Sequence, residues 1–362
     1  MKHLHVTGDR HEYCAWPAIT RTADGDILVT YCRSDEHMGP SGAILAVRSR
    51  DEGQTWSSPT VVRDSLLDDR ECGITRLSDG RLLVHVWSTH HTRETYGTMR
   101  EFAYEPDVIE SWLSQVACRE YLHAADQKGG WVMVSADHGA TWSLQGPGPD
   151  SIHGGIQLAS GDILVATGRG HDGTIGMESA SPDDLVWTRR ATFQCPDLTD
   201  RRFGEPNLVQ LPTGRVLMML RSTAVPYDDG SPGNSLWMAW SDDEGTSWSE
   251  AQPTGLWGYP PHLLALSDGR ILCSYGHRRS PYGERACISE DGMQWDPANE
   301  VVLRDDADSG DLGYPASMEL EPGRILTVYY QSPHQSPPPE MNPPDPLRRK
   351  PDIVATIWEM DR

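Results

Sequence analysis

Arginine, carboxylate, imidazole and phenol groups recur in this chain at places that open or close short apolar runs, and their types bound the chemistry within reach. The runs open on Trp16, Arg70-Glu71, His153, Glu205, Tyr259 and Tyr314. They close on Arg33-Ser34-Asp35-Glu36-His37, His90-His91, Arg169-Gly170-His171, Arg221, His277-Arg278-Arg279 and Gln331. Guanidinium forks grip carboxylates through paired hydrogen bonds, so repeated arginines in a chain of net charge −22 point to an anionic ligand, most simply an acidic sugar. Carboxyl and imidazole groups move protons. Neither His153 nor His171 stands in a His-x-His or His-x-x-x-His spacing that would support a metal, and no cofactor is expected; both are read as hydrogen-bonding groups toward sugar hydroxyls.

These residues need a frame that gathers them, and the frame is written as a repeat. An apolar strand, a turn with glycine and a second apolar strand occur six times, around Gly25, Gly80, Gly161, Gly214, Gly269 and Gly323. The intervals are 55, 81, 53, 55 and 54 residues. Asp-Gly between β-formers is a hairpin signal, because the tight turn needs positive φ. Six such hairpins at a steady period predict an all-β, six-bladed propeller of four-stranded antiparallel blades. The last unit has three strands of its own, so His3–Thr7 is expected to supply the fourth and close the ring. The long interval holds about 27 extra residues against the period. Within this insertion in blade two (about 95–130), Pro106–Tyr121 has helical spacing and is expected to form a pocket wall or a homo-oligomer surface. The proline-rich stretch Ser332–Pro351 reads as a loop, and residues 1–362 read as one domain.

A second motif marks the other half of each unit. Ser49-Arg50-Asp51-Glu52-Gly53-Gln54-Thr55-Trp56 returns at Ser135–Trp142 and Ser241–Trp248, in shortened form at Ser289–Trp295 and as a worn copy at Ser181–Trp187. Serine and aspartate bond turn backbone, glycine takes the left-handed position, and tryptophan plugs the hairpin onto its blade. These turns resemble the Asp boxes of the sialidase superfamily, and the resemblance runs over nearly the whole chain.

That resemblance implies an active site. Sialidases attack with a tyrosine assisted by a glutamate, use an aspartate as acid/base and hold the sugar carboxylate with three arginines. Phe203-Gly204-Glu205-Pro206 through Leu220-Arg221-Ser222 resembles the stretch from glutamate to second arginine, and Gly313-Tyr314-Pro315 resembles the tyrosine stretch. Arg278, rather than Arg279, matches the third arginine. The loop at Arg33-Ser34-Asp35 matches that of the acid, making Asp35 the candidate and Glu36 its substitute. The first arginine has no counterpart in Tyr13-Cys14-Ala15-Trp16-Pro17; Arg33 or Arg70 is expected to reach in.

The resulting expectation is a sialidase-like exo-glycosidase acting on a terminal acidic sugar. Tyr314, Glu205 and Asp35 would be catalytic, and Arg221, Arg278, Arg33, Arg70, Glu71, His153, Arg169, His171 and Tyr259 would bind substrate. Rival readings are a propeller lyase, a glycosidase of uronate- or rhamnose-containing glycans using His and Tyr, and a carbohydrate-binding propeller without catalysis. The acidic surface argues against nucleic-acid and membrane partners. Seven scattered cysteines and a start without an apolar h-region predict reduced thiols in a cytoplasmic protein.

Overall fold

The computed structural model describes residues 1–8, 12–98, 106–168, 173–226, 228, 230–332 and 350–360. Each predicted turn glycine has positive φ, from 81° to 102°, and joins two antiparallel strands. The second strand of each blade is buried along most of its length, as a position between packed sheets requires, whereas outer strands such as Ser143–Pro147 stay largely exposed.

Six four-stranded sheets result. Blade one runs Tyr13–Arg21, Ile27–Ser34, Ala43–Ser49 and Thr60–Arg63, and blade two runs Asp68–Arg76, Leu82–Thr89, Gly129–Ser135 and Ser143–Pro147. Blade three runs Ile156–Gln157, Ile163–Thr167, Thr174–Ala180 and Thr188–Gln194; blade four runs Arg201–Gln210, Val216–Ala224, Ser235–Ser241 and Gln252–Pro253. Blade five runs Pro261–Ala265, Ile271–His277, Gly283–Ser289 and Val301–Arg304. Blade six runs Leu312–Glu321, Arg324–Gln331 and Asp352–Glu359, and Lys2–Thr7 pairs antiparallel with that last strand, Lys2 opposite Ile357. The N-terminal strand thus closes the ring as expected.

The serine–aspartate turns staple neighbouring blades. Ser49 Oγ accepts from Gly53 N (2.8 Å), while Asp51 accepts from Thr55 N (2.8 Å) and Thr55 Oγ1 (2.6 Å). The same bonds form around Asp137 and Asp243. Bonds from the Thr55, Thr141 and Ser247 hydroxyls and backbone amides hold all three carboxyls down to about 2. Gly139 sits so close to the preceding blade that a Cβ there would lie 2.7 Å from Leu28 Cδ2.

The insertion is helical, but it is not one helix. Helix α1 (Arg93–Thr98) is followed by α2 (Pro106–Val116), which ends before Cys118 in extended backbone (ψ 150°); α3 (Arg119–His123) then turns away. Ile109, Trp112, Leu113 and Val116 of α2 pack with Tyr96, Tyr121 and Leu67 in a small core of their own. None of the seven cysteines forms a disulfide, and all but Cys118 are buried. No helix of the described residues is long and apolar enough to cross a membrane. Most of Ser332–Pro351 lies outside the described residues.

Candidate active site

Four inner strands share one irregularity. Their ladders slip register at Ala15/Ala18, Arg70/Cys72, Gly204/Asn207 and Gly313/Ala316. At each slip stands a non-glycine residue with left-handed backbone: Trp16 (φ 54°), Glu71 (52°), Glu205 (48°) and Tyr314 (49°). Such backbone costs roughly 1–3 kcal/mol per residue and persists where the surroundings over-determine it. All four line one cavity of about 590 Å³.

On the cavity floor, Tyr314 Oη donates to Glu205 Oε1 at 2.8 Å. Arg221 Nη1 holds both oxygens of the same carboxylate, at 2.9 and 2.8 Å. Burial, reinforced by the carboxylates of Glu205 and Glu71, pushes the Tyr314 phenol well above its usual value, and Arg221 and Arg278 pull the other way. The phenol therefore rests neutral, beside a carboxylate placed to take its proton. Burial disfavours the Arg221 charge, but Glu205 and Tyr314 outweigh it and the guanidinium stays firmly protonated.

Four arginines line the cavity: Arg70, Arg202, Arg221 and Arg278. Arg278 is anchored through Nε to Leu312 O (3.0 Å) and through Nη2 to Tyr330 Oη (3.3 Å). Arg70 comes from the register slip of blade two and lies 4.6 Å above the Trp16 ring, with Asp68 at 3.4 Å and Glu71 at 3.9 Å. Of the two residues expected to reach in where blade one lacks an arginine, Arg70 lines the cavity. Arg33 does not: it turns toward Glu12 (3.6 Å) and stands outside the cavity lining.

Asp35, expected as the acid, is displaced too. Its Oδ2 accepts from Trp112 Nε1 of α2 at 2.6 Å, and Glu36 pairs with Lys350 at 3.3 Å, so both carboxylates brace the loop instead of lining the cavity. Gly39 permits this, because any Cβ there would collide with Asp35. The loop presents His37 and Met38 to the cavity instead. His37 Nδ1 lies 2.6 Å from Tyr13 Oη and 3.3 Å from Asp311 Oδ1. Asp311 also accepts from Tyr13 (2.9 Å) and Tyr330 (3.0 Å). Burial opposes its charge, yet the His37 bond, His37 and Arg278 charges and Tyr13 bond hold it down to about 2.

Tyr259 and His153 are the other corrections. Tyr259 is buried behind the cavity with the Arg221 guanidinium 4.1 Å above its ring, so it backs the arginine instead of meeting a ligand. His153 faces the His262 ring at 6.3 Å outside the cavity lining, and burial lowers it to about 4 against the pull of Glu205. Arg279 stacks on Trp257 at 4.0 Å, away from the cavity. Arg169 and His171 lie outside the described residues. The sequence reading gave no role to Trp87 or Arg202, which also line the cavity, or to Asp311 and Tyr13. One signal was available: Tyr13, Asp68, Arg202 and Asp311 each stand three places before a left-handed residue. No cluster of three or more potential metal ligands occurs among the described residues.

Comparison with known proteins gives this geometry a context. A family model described as BNR repeat-like domain matches residues 109–327. No curated protein sequence matches the chain. A crystal structure of a protein of unknown function from Dyadobacter fermentans superposes with a TM-score of 0.75 at 22% identity, covering 99% of this chain and 98% of the other. An alpha-L-arabinanase of Penicillium chrysogenum, complexed with arabinobiose, gives 0.61 at 15% identity, covering 99% and 98%. The NanB sialidase of Streptococcus pneumoniae gives 0.63 at 13% identity, covering 99% of this chain and 70% of the sialidase. These likenesses establish a common fold.

Proposed function

The chain belongs to the BNR repeat-like family, a sialidase-like propeller group, and from that premise we propose that it is a retaining glycoside hydrolase that removes a terminal sugar bearing a carboxylate. The observation that carries this reading is the 2.8 Å hydrogen bond from Tyr314 to Glu205 on the floor of an arginine-lined cavity. A carboxylate beside the anomeric carbon repels an anionic nucleophile, whereas a neutral phenol approaches and becomes nucleophilic as Glu205 takes its proton. Attack forms a bond from Tyr314 Oη to the anomeric carbon and breaks the bond to the leaving oxygen. Water then displaces the phenol, which recovers its proton from Glu205, and the proton that water sheds balances the one the leaving oxygen took up.

Arg70, Arg221 and Arg278 hold the carboxylate, in a site dry enough for each charge to act strongly. Arg221 must serve both Glu205 and the ligand, which its five donors allow. Glu71, on the floor beside Arg70, accepts from sugar hydroxyls. The likeness to a sialidase supports hydrolysis, and the guanidinium groups favour an acidic sugar over the arabinose of the arabinanase neighbour.

The test is a panel of 4-methylumbelliferyl glycosides of sialic acid, uronic acids and arabinose. The wild type should release fluorophore from an acidic glycoside, and Tyr314→Phe should lose about 10³-fold or more in kcat. Turnover of the arabinoside alone would remove the carboxylate clamp. Equal turnover by Tyr314→Phe would remove the nucleophile, and glycan binding without product would leave a lectin.

A further inference from the structure

We propose that His37 is the acid/base that protonates the leaving oxygen, oriented by Tyr13 and Asp311. This rests on the hydrolase reading above and adds the group that reading lacks, since neither Asp35 nor Glu36 lines the cavity.

His37 sits in a built socket. Its ring packs edge-on against Tyr13 and Trp16, each at 5.3 Å between centroids, and its Nδ1 meets Tyr13 Oη and Asp311. Tyr13 has one proton and Asp311 lies within its reach, so Tyr13 donates to Asp311 and accepts from His37 Nδ1–H. That chain of donation fixes the tautomer: the Nδ1 proton is held inward and Nε2 is left for the cavity that His37 lines. Asp311 also approaches the same Nδ1 directly, at 3.3 Å, so the ring is held from the inner side by two partners. The other charged groups nearby are Arg278, acting on Asp311, and Lys350 and Glu36, which hold the loop to each other.

Depth separates His37 from its rival, Glu71. Tyr314 is buried on the floor and the Glu71 side chain keeps 5% of its surface exposed, whereas the His37 side chain keeps 39%. An exo-acting enzyme buries the terminal sugar and leaves the departing group toward solvent, so the proton must come from the mouth. Trp16 stands between the two levels, touching the His37 ring on one side and Tyr314 on the other at 6.3 Å. In the first step His37 Nε2–H gives its proton to the leaving oxygen as Tyr314 attacks and Glu205 takes the phenol proton. In the second, neutral Nε2 takes a proton from water, whose oxygen displaces Tyr314 from the anomeric carbon; one water is consumed and all groups return to their starting state.

The experiment compares wild type, His37→Gln, Glu71→Gln and Tyr13→Phe on the 4-methylumbelliferyl glycoside that the wild type cleaves and on the methyl glycoside of the same sugar. His37→Gln should lose about 10²–10⁴-fold on the methyl glycoside, which needs a proton on its leaving oxygen. Its loss in kcat/KM on the activated aryl glycoside should be far smaller. Azide should restore turnover of the aryl glycoside and yield the glycosyl azide, and the alkaline limb of the kcat/KM profile should disappear. Tyr13→Phe keeps the ring packing and should shift that limb without abolishing it. Equal losses on both substrates, or azide rescue of Glu71→Gln in place of His37→Gln, would overturn the assignment while leaving Tyr314 and Glu205 standing. A wild type that cleaves no acidic glycoside overturns both readings, whereas inactivity of Tyr314→Phe beside an indifferent His37→Gln overturns this one alone.

Discussion

Two ends of the propeller hold non-glycine residues in left-handed backbone, and they stabilise that backbone by opposite means. At one end stand Glu52, His138, Leu185 and Glu244 in the serine–aspartate turns; at the other stand Trp16, Glu71, Glu205 and Tyr314. In the complete turns the serine and aspartate side chains bond their own turn, as from Gly53 and Thr55 to Ser49 and Asp51, and the preceding blade adds one arginine to the backbone, Arg48 to His138 O and Arg190 to Glu244 O. At the cavity the bonds cross between blades, Tyr314 to Glu205 and Tyr13 to Asp311. Local support makes a fold element that can be copied; support from other blades makes a site that can occur once.

The sharpest way to break this contrast is to remove one acceptor at each end. Glu205→Gln should lower kcat by about 10²–10⁴-fold by removing the proton acceptor. It should also destabilise by up to about 3–5 kcal/mol, because buried Arg221 loses its anion. Asp137→Asn should leave kcat/KM unchanged and lower only the urea midpoint. Were both to act on stability alone, the cavity end would be structural as well.

Acid separates the two ends by pH window. Asp51, Asp137 and Asp243 have folded values near 2, below their unfolded values, so their contribution is present above about 4 and is lost as pH falls toward 2. His153 and His262, lowered to about 4 and 3 by burial, bind protons more readily when unfolded. Their neutral packing therefore supports the fold above about 6.5 and weakens as pH falls through the range down to their folded values. Thermal melts from pH 8 to 2 should show both windows, and His153→Gln should flatten the upper one in part and spare the lower.

The smallest effect sharpens the comparison most directly. Glu244 has φ 56° and its side chain makes no hydrogen bond or ion pair among the described residues, so Glu244→Gly should stabilise by a few tenths to about 1 kcal/mol with catalysis intact. A chemical melt against wild type checks the sign. Destabilisation would mean that backbone strain at the turns is not stored as the φ value suggests.

The blade count, the closing N-terminal strand and the gathering of Glu205, Arg221, Arg278 and Tyr314 were legible because each depends on period and strand polarity. What was not legible depends on which way a loop side chain turns. Asp35 faces Trp112, a residue of the insertion, and no pattern within Arg33–His37 says that the insertion packs there. Arg70 reaches the cavity beside the slip at Glu71 and Arg33 does not, and a bulge leaves little trace in composition. The helix broke at Cys118 although the apolar spacing runs on to Tyr121, since Tyr121 serves the same small core from a second, reoriented turn.

Pairing of Lys2 with Ile357 joins segments from opposite ends of the sequence, so the last blade forms only after a loop of almost the whole chain has closed. That seam lies within blade six, and the bond from Tyr13 to Asp311 ties blade one to the start of the same blade. That bond is therefore among the contacts of highest contact order in the molecule, made late in folding when the blades between already exist. A polypeptide emerging from synthesis would carry most of its sheet structure before it possessed a finished mouth, and its chemistry would switch on with the final strand.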